Sequence, residues 1–337
     1  MHIIKKILPW VFFICLAIIL VGSLAVRILN TPLAPKLEVT ESGVQPAATA
    51  ITPIVDSASD VQSTPTQALC SGQGSSVILV LGESFPVDSK IRGADAIRLV
   101  KVDYGTGKVT VTAFPPVLMV NTSQIPSLGA NASTLTSAYF LAKQSFTDSE
   151  RNKMAYASNV IAQTLVTNFG LTPDNYLTMK QNTFKNAVDT MGGLPITLSA
   201  PVITPSNGVI VLPAGQQVIT GQQALDYSRY IQSGSSASVA ETNRFNRQNE
   251  ILLAILHQAL SFQSLPDYPG LVNNFYQDVA TDLSLNQLMD LACVLQNPQM
   301  DVDYVEFKSS LIVSEQNGIL IPNTSAIASY YQPIYSH

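Results

Sequence analysis

The chain has 337 residues, a formal net charge of -5, and 12% charged against 46% hydrophobic residues. Its one basic run is Lys5 and Lys6, so the composition argues against nucleic acid as a partner. The length allows one large domain or two small ones, and the apolar composition allows a large core or a core that holds a hydrophobic cavity.

Residues 7–29 are almost wholly apolar, which is enough to cross a bilayer with a hydrocarbon core of roughly 30 Å. Because Lys5 and Lys6 precede this run, we predict a cytoplasmic stub and single-pass transmembrane signal anchor over residues 1–30, with the remainder outside the cytoplasm. A cleaved signal peptide is the alternative. However, the run is longer than a usual signal-peptide core, and no clean A-x-A site follows it.

Residues 31–75 are rich in Pro, Ser, Thr, Ala and Gln, and no aromatic residue lies between Phe13 and Phe85. Such a composition cannot bury enough apolar surface to fold. We therefore predict a disordered tether between the membrane and the folded part of the chain.

The chain has three cysteines. Cys15 lies within the predicted membrane span, where packing is its expected role. Cys70 at the end of the tether and Cys293 in a helix-like stretch would both lie outside the cell, where a disulfide persists. A Cys70–Cys293 disulfide is therefore one prediction, although sequence does not establish the geometry that the bond requires.

The folded part begins with a short apolar run at residues 76–81, which predicts a buried strand. Two alternating segments, 96–102 and 108–114, flank a glycine-containing loop and predict a β-hairpin. Residues 121–138 are rich in Asn, Ser and Thr and are predicted to form a loop. Residues 147–168 predict a helix, with Thr147 and Glu150 as a capping box and Gly170 as the stop.

Shorter patterns predict the remaining elements. Helices are expected at 184–191 and 284–296, and strands at 176–179, 195–198, 302–307 and on both sides of an Asn207-Gly208 turn. Because strands and helices alternate, we predict the α/β class, with a mixed central β-sheet packed with helices as an αβα sandwich. This domain is expected to span 76–263, and a C-terminal α/β extension to span 264–337.

A segment rich in polar residues, from Leu212 to Leu260, contains the candidate site. Thr220 and Gln223 form a capping box, which predicts a helix that begins at Gly221 and carries Arg229 near its end.

Three further polar residues, Arg244, Arg247 and Gln248, have the spacing i, i+3 and i+4, so a helix presents them on one face. An apolar pattern follows them, which predicts that the rest of this helix packs in a core. Guanidinium groups at the mouth of such a helix suit an anion, and phosphate oxygens in particular. The alternative is that the arginines cap helix ends and pair with surface carboxylates.

Three segments occur in a characteristic order. They read G-A-D-A-I-x-L-V-x-V-D at 93–103, F-K-x-x-V-D-x-M-G-G-L-P-I at 184–196, and L-P-A-G at 212–215 leading to R-x-x-R-Q at 244–248. In this order and after a signal anchor, they resemble the LytR-CpsA-Psr family of bacterial envelope phosphotransferases.

The resemblance implies an enzyme of the bacterial cell membrane that moves an anionic glycan from a polyprenyl-diphosphate carrier onto a cell wall acceptor. It also implies a pyrophosphate bridged by Mg²⁺ above arginines and aspartates, and an apolar cavity for the lipid tail. Magnesium and guanidinium groups would neutralise charge on the transferring phosphoryl and on its leaving group.

The resemblance also implies roles for residues of this chain. Asp95 matches the first metal-binding aspartate. The implied catalytic residues are Arg229, Arg244 and Gln248. The residues implied to bind the substrate are Arg247, Arg92 and Arg98.

The chain departs from the family pattern at several positions. Arg92 is displaced by one residue from the expected arginine. Pro115-Pro116-Val117 replaces a P-R-D element, which removes an arginine and the second metal-binding aspartate. The segment 134–139 lacks the expected lysine, and Ile231 replaces the second arginine of R-x-R. A single aspartate is a weak Mg²⁺ site, and losing charged contacts slows phosphoryl transfer.

Three hypotheses follow from these residues. The first is a glycopolymer transferase with a diminished site. The second is a non-catalytic protein that binds polyprenyl-linked glycan as an envelope scaffold. The third is a structural envelope protein whose arginines pair with Asp226 or Glu241. Binding of a polyprenyl diphosphate separates the first two from the third, and turnover separates the first from the second.

Overall fold

The structure is a computed structural model of the chain. It describes residues 31–32, 34–39, 72–84, 93–125, 128, 133–203, 210–231, 234–261, 278–297 and 300–336. The predicted transmembrane helix lies outside these ranges. Within them, no helix combines the length and the apolar character that a membrane crossing requires.

Short strands and helices alternate along the described chain. The strands are β1 (Ser75–Ser84), β2 (Gly93–Asp103), β3 (Lys108–Ala113), β4 (Asn175–Lys180), β5 (Leu194–Leu198), β6 (Val202–Ile203), β7 (Ile210–Leu212), β8 (Gly215–Ile219), β9 (Val279–Thr281), β10 (Asp301–Val305), β11 (Ile312–Gln316) and β12 (Ile319–Pro322). The helices are α1 (Leu135–Ser145), α2 (Glu150–Phe169), α3 (Gln181–Thr190), α4 (Gly221–Arg229), α5 (Ala237–Ser261), α6 (Leu285–Gln296) and α7 (Thr324–Tyr335).

A mixed sheet forms the middle layer of the fold. Among the described residues it has six strands in the order β10-β3-β2-β1-β4-β9. β1 runs antiparallel to β2 and parallel to β4, and β10 runs parallel to β3. The predicted α/β class with a mixed central sheet is therefore confirmed, and the predicted hairpin is β2 with β3. The predicted Asn207-Gly208 turn lies outside the described residues, and β6 and β7 beside it pair antiparallel.

Helices cover both faces of the sheet because its central strands are apolar on both faces. Leu79 and Leu81 alternate along β1 and pack in one core with residues of α1, α2 and α7. Ile78, which points to the opposite face, packs in a second core with Val102 and with Leu291 of α6. Helices α3, α4 and α5 share a third core with β5 and β8.

Helix α1 was not predicted. Thr134 is its N-cap and accepts a hydrogen bond from the Ser137 backbone at 3.3 Å, while the Ser137 hydroxyl accepts one from Thr134 N at 2.8 Å. This capping box has Ser at the position where Glu or Gln is usual, so the sequence pattern does not indicate the start of this helix. The loop prediction is wrong for residues 135–138.

Helix α2 begins later than predicted. Its N-cap is Ser149, whose hydroxyl accepts a hydrogen bond from Asn152 N at 3.3 Å. The predicted partner of Thr147, Glu150, is the first helical residue and instead forms an ion pair with Lys143 of α1. The predicted stop is confirmed, since Gly170 is the C-cap with a φ of 65°, a conformation that glycine adopts without strain.

Residues of the predicted C-terminal extension complete the central sheet. β9 pairs with β4 at one edge, and β10 pairs with β3 at the other. The Tyr335 hydroxyl of α7 forms hydrogen bonds with Leu99 O at 3.1 Å and Thr112 Oγ1 at 2.6 Å. Residues 278–297 and 300–336 are thus built into the sandwich.

Residues 34–39 contact the folded part, unlike the predicted disordered tether to which they belong. Leu37 N donates to Asp282 Oδ2 at 3.0 Å. The Tyr176 hydroxyl donates to Pro35 O at 2.8 Å. The side chains of Ala34, Leu37 and Val39 also pack against the main core, so both backbone and side-chain groups hold this segment on the domain.

Candidate functional site

Asp95 lies at a β-bulge in β2, beside the end of β1. Gly82 pairs with Ala96 and Glu83 pairs with Ala94, so Asp95 has no partner on β1. A bulge bends its strand and re-aims the side chain. The carboxylate and the carbonyl of Asp95 are therefore both available to α4 and α5.

Arg229 is the last residue of α4, which begins at the predicted capping box of Thr220 and Gln223. Its Nε donates to Asp95 Oδ2 at 2.6 Å, and its Nη2 donates to the Ser84 hydroxyl at the end of β1. The side chains of Arg229 and Asp95 are 21% and 13% exposed. This ion pair can therefore be reached from solvent.

Arg244 contacts the same aspartate from inside the protein. Its Nη1 donates to the Asp95 carbonyl at 2.6 Å. It also forms an ion pair with Glu241, which lies one turn earlier on α5. The Arg244 side chain is only 1% exposed, and its hydrogen bond to the Asp95 carbonyl supports the bulge.

Arg247 holds the end of α4. Its guanidinium donates to the carbonyls of Tyr227, at 3.2 Å, and of Tyr230, and it lies 5.2 Å from the centroid of the Tyr230 ring. Burial lowers the pKa of Arg247, an effect that the nearby Tyr227, Tyr230 and Glu250 oppose. Its hydrogen-bond partners are neutral carbonyls, and no carboxylate of the described residues forms an ion pair with it.

Gln248 joins α5 to two other elements. Its Oε1 accepts from Nη2 of Arg98 at 3.1 Å, and its Nε2 donates to Ser228 O of α4 at 3.4 Å. Arg98 Nη1 also donates to Asn249 Oδ1 at 2.7 Å. Burial lowers the pKa of Arg98 to about 10, so this side chain stays charged at neutral pH.

The four arginines of this region outnumber the carboxylates that pair with them. Among the described residues, ion pairs join Arg229 to Asp95 and Arg244 to Glu241, whereas none involves Arg98 or Arg247. The region therefore has a surplus of positive charge. An anion at this place would compensate it.

A second buried cluster was missed by sequence reasoning. Glu83, beside Ser84 on β1, forms an ion pair with Lys143 of α1, and its side chain is 1% exposed. Burial raises the pKa of Glu83, against the lowering effect of Lys143. Burial also raises the pKa of Tyr139, and the Glu83 charge adds to this effect. The one sequence signal for this cluster was the charged residue Glu83, which closely follows the apolar run at residues 76–81.

The positions that depart from the family pattern have structural roles here. Pro115 and Pro116 are buried, and Pro116 O accepts a hydrogen bond from Thr136 N in the first turn of α1. The structure therefore brings together Asp95 and the residues of α4 and α5, whereas the P-R-D position supports a helix. Arg92 lies outside the described residues.

Metal-binding groups are sparse at this site. Among the described residues, no three His, Cys, Asp or Glu side chains lie close enough to hold a metal ion together. Asp95 already accepts a hydrogen bond from Arg229. Magnesium takes one or two protein carboxylates and completes its octahedron with phosphates and water. The donor set thus suits an ion that arrives with phosphate oxygens.

Cys293 of α6 is disulfide-bonded. The other two cysteines of the chain, Cys15 and Cys70, lie outside the described residues. The pairing of Cys70 with Cys293 therefore stays a prediction.

Two curated relatives match part of the chain. The polyisoprenyl-teichoic acid–peptidoglycan teichoic acid transferase TagU of Oceanobacillus iheyensis is 26% identical over 129 residues, which is 38% of each protein. The transferase of the same description, TagT of Bacillus subtilis, is 27% identical over 113 residues, or 32% of this chain and 34% of the relative. The chain thus matches about a third of the length of these relatives.

Solved structures share the fold over a larger part of the chain. The crystal structure of B. subtilis TagV has a TM-score of 0.56 at 16% identity and covers 79% of this chain and 99% of TagV. The structure of TagT bound to LIIa-WTA has a TM-score of 0.54 at 17% identity, covering 78% of this chain and 92% of TagT. The model of the LytR_cpsA_psr family matches residues 44–332. With this match over most of its length, the chain belongs to the LytR-CpsA-Psr family.

Proposed function

We propose that this chain is a single-pass transferase of the bacterial cell envelope, anchored by residues 7–29 with its folded domain outside the cytoplasm. It would move a glycopolymer from a polyprenyl-diphosphate carrier to a cell wall acceptor. Family membership and the activities named for the TagU and TagT relatives support this proposal.

One observation carries the proposal for this chain. Arg229 is partly exposed beside Asp95, and Arg247 holds the same end of α4 without a carboxylate partner among the described residues. A diphosphate bears several negative charges, and guanidinium forks bind phosphate oxygens in bidentate geometry.

In the proposed reaction, an acceptor hydroxyl forms a bond to the phosphorus that carries the glycan. The bond from this phosphorus to the bridging oxygen of the diphosphate breaks, polyprenyl monophosphate leaves, and the hydroxyl proton passes to solvent. Arg229 and Arg247 would stabilise the charge that builds up on the leaving phosphate. Arg244 and Gln248 are positioning residues, because they hold Asp95 and α4 in place.

Magnesium is part of the proposal as an ion bound jointly by Asp95 and the substrate. The ion would supply charge neutralisation at the phosphates. For Asp95 to hold it, Arg229 would have to release the carboxylate and bind phosphate oxygens instead.

Binding tests the proposal most directly. The full-length chain in detergent would be titrated with geranylgeranyl diphosphate, with and without Mg²⁺. We expect Arg229→Met to weaken binding by about tenfold or more, since a hydrogen bond to a charged group contributes about 1.5–3 kcal/mol. Lys108→Met is the control, because Lys108 is half exposed in a surface pair with Asp303. Unchanged binding in Arg229→Met would contradict the proposed site.

Turnover is the second measurement. Polyprenyl monophosphate released from a lipid-linked teichoic acid precursor in the presence of peptidoglycan would report the transfer. We expect release that Arg229→Met reduces and Lys108→Met leaves unchanged.

A non-catalytic lipid-carrier-binding protein is the second candidate. The observation that favours it is the pairing of Asp95 with Arg229, together with the lack of three His, Cys, Asp or Glu side chains that could jointly hold a metal ion in the described structure. If this candidate is right, the chain binds the diphosphate equally tightly with and without Mg²⁺, and it releases no polyprenyl monophosphate.

A further inference from the structure

A cavity of about 310 Å³ lies between α5 and the sheet edge formed by β3 and β10. The buried Arg98 and the half-buried Asn249 line it, together with Asn246 and Glu306 at the exposed surface. Apolar residues supply much of the remaining lining, namely Val111, Ala113, Phe245, Val305 and Phe307. An isoprenoid tail in this cavity would cover the buried Arg98 guanidinium without supplying a counter-charge, which is costly. The lining therefore suits a polar ligand and not a lipid.

Arg98 supplies the positive charge in this cavity. The residue is 4% exposed, and its guanidinium donates to the neutral amide oxygens of Asn249 and Gln248. Among the described residues, no carboxylate forms an ion pair with Arg98, and the neighbouring charge of Arg244 has the same sign. A buried charge without a counter-charge is unfavourable, and an anionic ligand would relieve it.

We propose that this cavity, hereafter the Arg98 cavity, binds one saccharide unit that carries an anionic group, with the anion against the Arg98 guanidinium. Ligand pockets range from about 300 to 1,000 Å³, so a cavity of about 310 Å³ suits one sugar ring and not a polymer.

The remaining lining fits the rest of such a ligand. The amide of Asn246 and the carboxylate of Glu306 at the surface accept hydrogen bonds from sugar hydroxyls. Phe245, 8% exposed, adds an apolar ring to the lining. Because Glu306 is exposed to water and salt, its charge is screened more than that of Arg98.

The choice of a saccharide rests on the proposed function, whereas the choice of an anion rests on Arg98. The anion is either the carboxylate of a uronic acid or the phosphate of a sugar phosphate. Glucuronate and glucose 1-phosphate are the two probes that distinguish these sources, and glucose is the neutral control.

The full-length chain in detergent would be titrated with each probe by calorimetry. We expect one or both charged sugars to bind at least tenfold more tightly than glucose, and Arg98→Met to reduce their affinity to that of glucose. Lys108→Met, which changes a half-exposed cation outside the Arg98 cavity, is the control and should retain binding of the charged sugar. Equal binding of glucose and the charged sugars, or binding of neither charged sugar, would overturn the proposal.

A second variant keeps the test valid if Arg98→Met does not fold. Asn246 is exposed on α5, so Asn246→Phe should fill the mouth of the Arg98 cavity without lowering the melting temperature. We expect it to abolish binding of the charged sugar, and retained binding would place that site elsewhere. Inorganic phosphate that binds as tightly as glucose 1-phosphate would overturn the saccharide part of the proposal.

Arg229→Met separates the two sites. It should weaken binding of geranylgeranyl diphosphate while leaving binding of the charged sugar unchanged, and Arg98→Met should have the reverse effect. A chain that binds the charged sugar but no isoprenoid diphosphate would keep the Arg98 cavity and contradict the proposed transferase. The opposite result would keep the transferase and contradict the cavity.

Discussion

The carbonyl oxygen of Asp95 accepts a hydrogen bond from Nη1 of Arg244 at 2.6 Å. The carbonyl is available because the bulge removes Asp95 from the ladder with β1. Arg244 is buried and acts from inside the protein, whereas Arg229 holds the carboxylate of the same residue from the solvent side. The two arginines therefore have different roles.

Arg244→Met should destabilise the chain by about 3–5 kcal/mol, because it leaves the Glu241 carboxylate buried without a cation. Urea unfolding of the full-length variant measures the change in free energy. The double variant Arg244→Met/Glu241→Leu removes both charges and should recover much of the loss. A single variant as stable as the parent would show that Arg244 does not support the bulge.

Glu83→Gln should change how stability depends on pH. Burial raises the pKa of Glu83 in the folded state above its ordinary value of 4.5, so the folded chain binds this proton more tightly than the unfolded chain. The free energy of unfolding should therefore fall as pH rises from about 4.5 through the raised pKa. Glu83→Gln lacks this group, and unfolding measured at several pH values should show a smaller fall.

Glu150→Gln should change the pH dependence of stability in the opposite direction to Glu83→Gln, although both carboxylates pair with Lys143. Partial burial raises the pKa of Glu150, but the hydrogen bond and charge of Lys143 outweigh it and give a lowered pKa. Glu150 thus stabilises the fold above its unfolded pKa, and this contribution is lost as pH falls through the folded pKa. If both variants changed the pH profile in the same direction, the assignment of these two carboxylates would be wrong.

Gly93→Ala should destabilise the chain by at least about 1–3 kcal/mol, the usual cost of backbone strain. Gly93 has a φ of 124°, and a Cβ there would lie 2.4 Å from the Thr136 carbonyl of α1. Gly105→Ala is the matched control, because its Cβ would have only an ordinary contact with Asp103 at 3.4 Å. Melting temperatures compare the two variants, and equal values would contradict the close approach of α1.

Tyr335→Phe tests whether α7 is built into the domain. It removes the hydrogen bonds to Leu99 O and Thr112 Oγ1, which should cost about 1–3 kcal/mol for buried partners left unsatisfied. Tyr330→Phe should be nearly neutral, because the Tyr330 ring contacts Lys308 Nζ at 4.3 Å and the ring is retained. Urea unfolding of both variants distinguishes these outcomes.

Patterns within a few residues of one another were predicted well. The capping box of Thr220 and Gln223 begins α4, and Gly170 ends α2. The failures were also local: Ser137 completes a capping box in an unusual way, and Glu150 pairs with Lys143 where a capping box with Thr147 was expected. In both cases a side chain forms a hydrogen bond or an ion pair with a partner that sequence spacing alone does not specify.

The structure shows where the predicted site residues lie, whereas their roles stay predictions. Asp95, Arg229, Arg244 and Gln248 do come together, yet the spacing of Arg244 and Gln248 did not show that Arg244 is buried. Arg98 faces the Arg98 cavity, and its predicted role in binding the substrate stays a prediction. Burial depends on which elements pack against a helix, and the sequence of that helix does not specify them.

The sequence by itself determined the alternating strands and helices, the helix that carries Arg244 and Gln248, and the family, because these depend on short-range periodicity and motif order. Only the tertiary structure decided the bulge at Asp95, the ion pair of Glu83 with Lys143 across 60 residues, and the uncompensated charge of Arg98. Cross-strand register and desolvation produce these features, and both arise only when distant segments pack together.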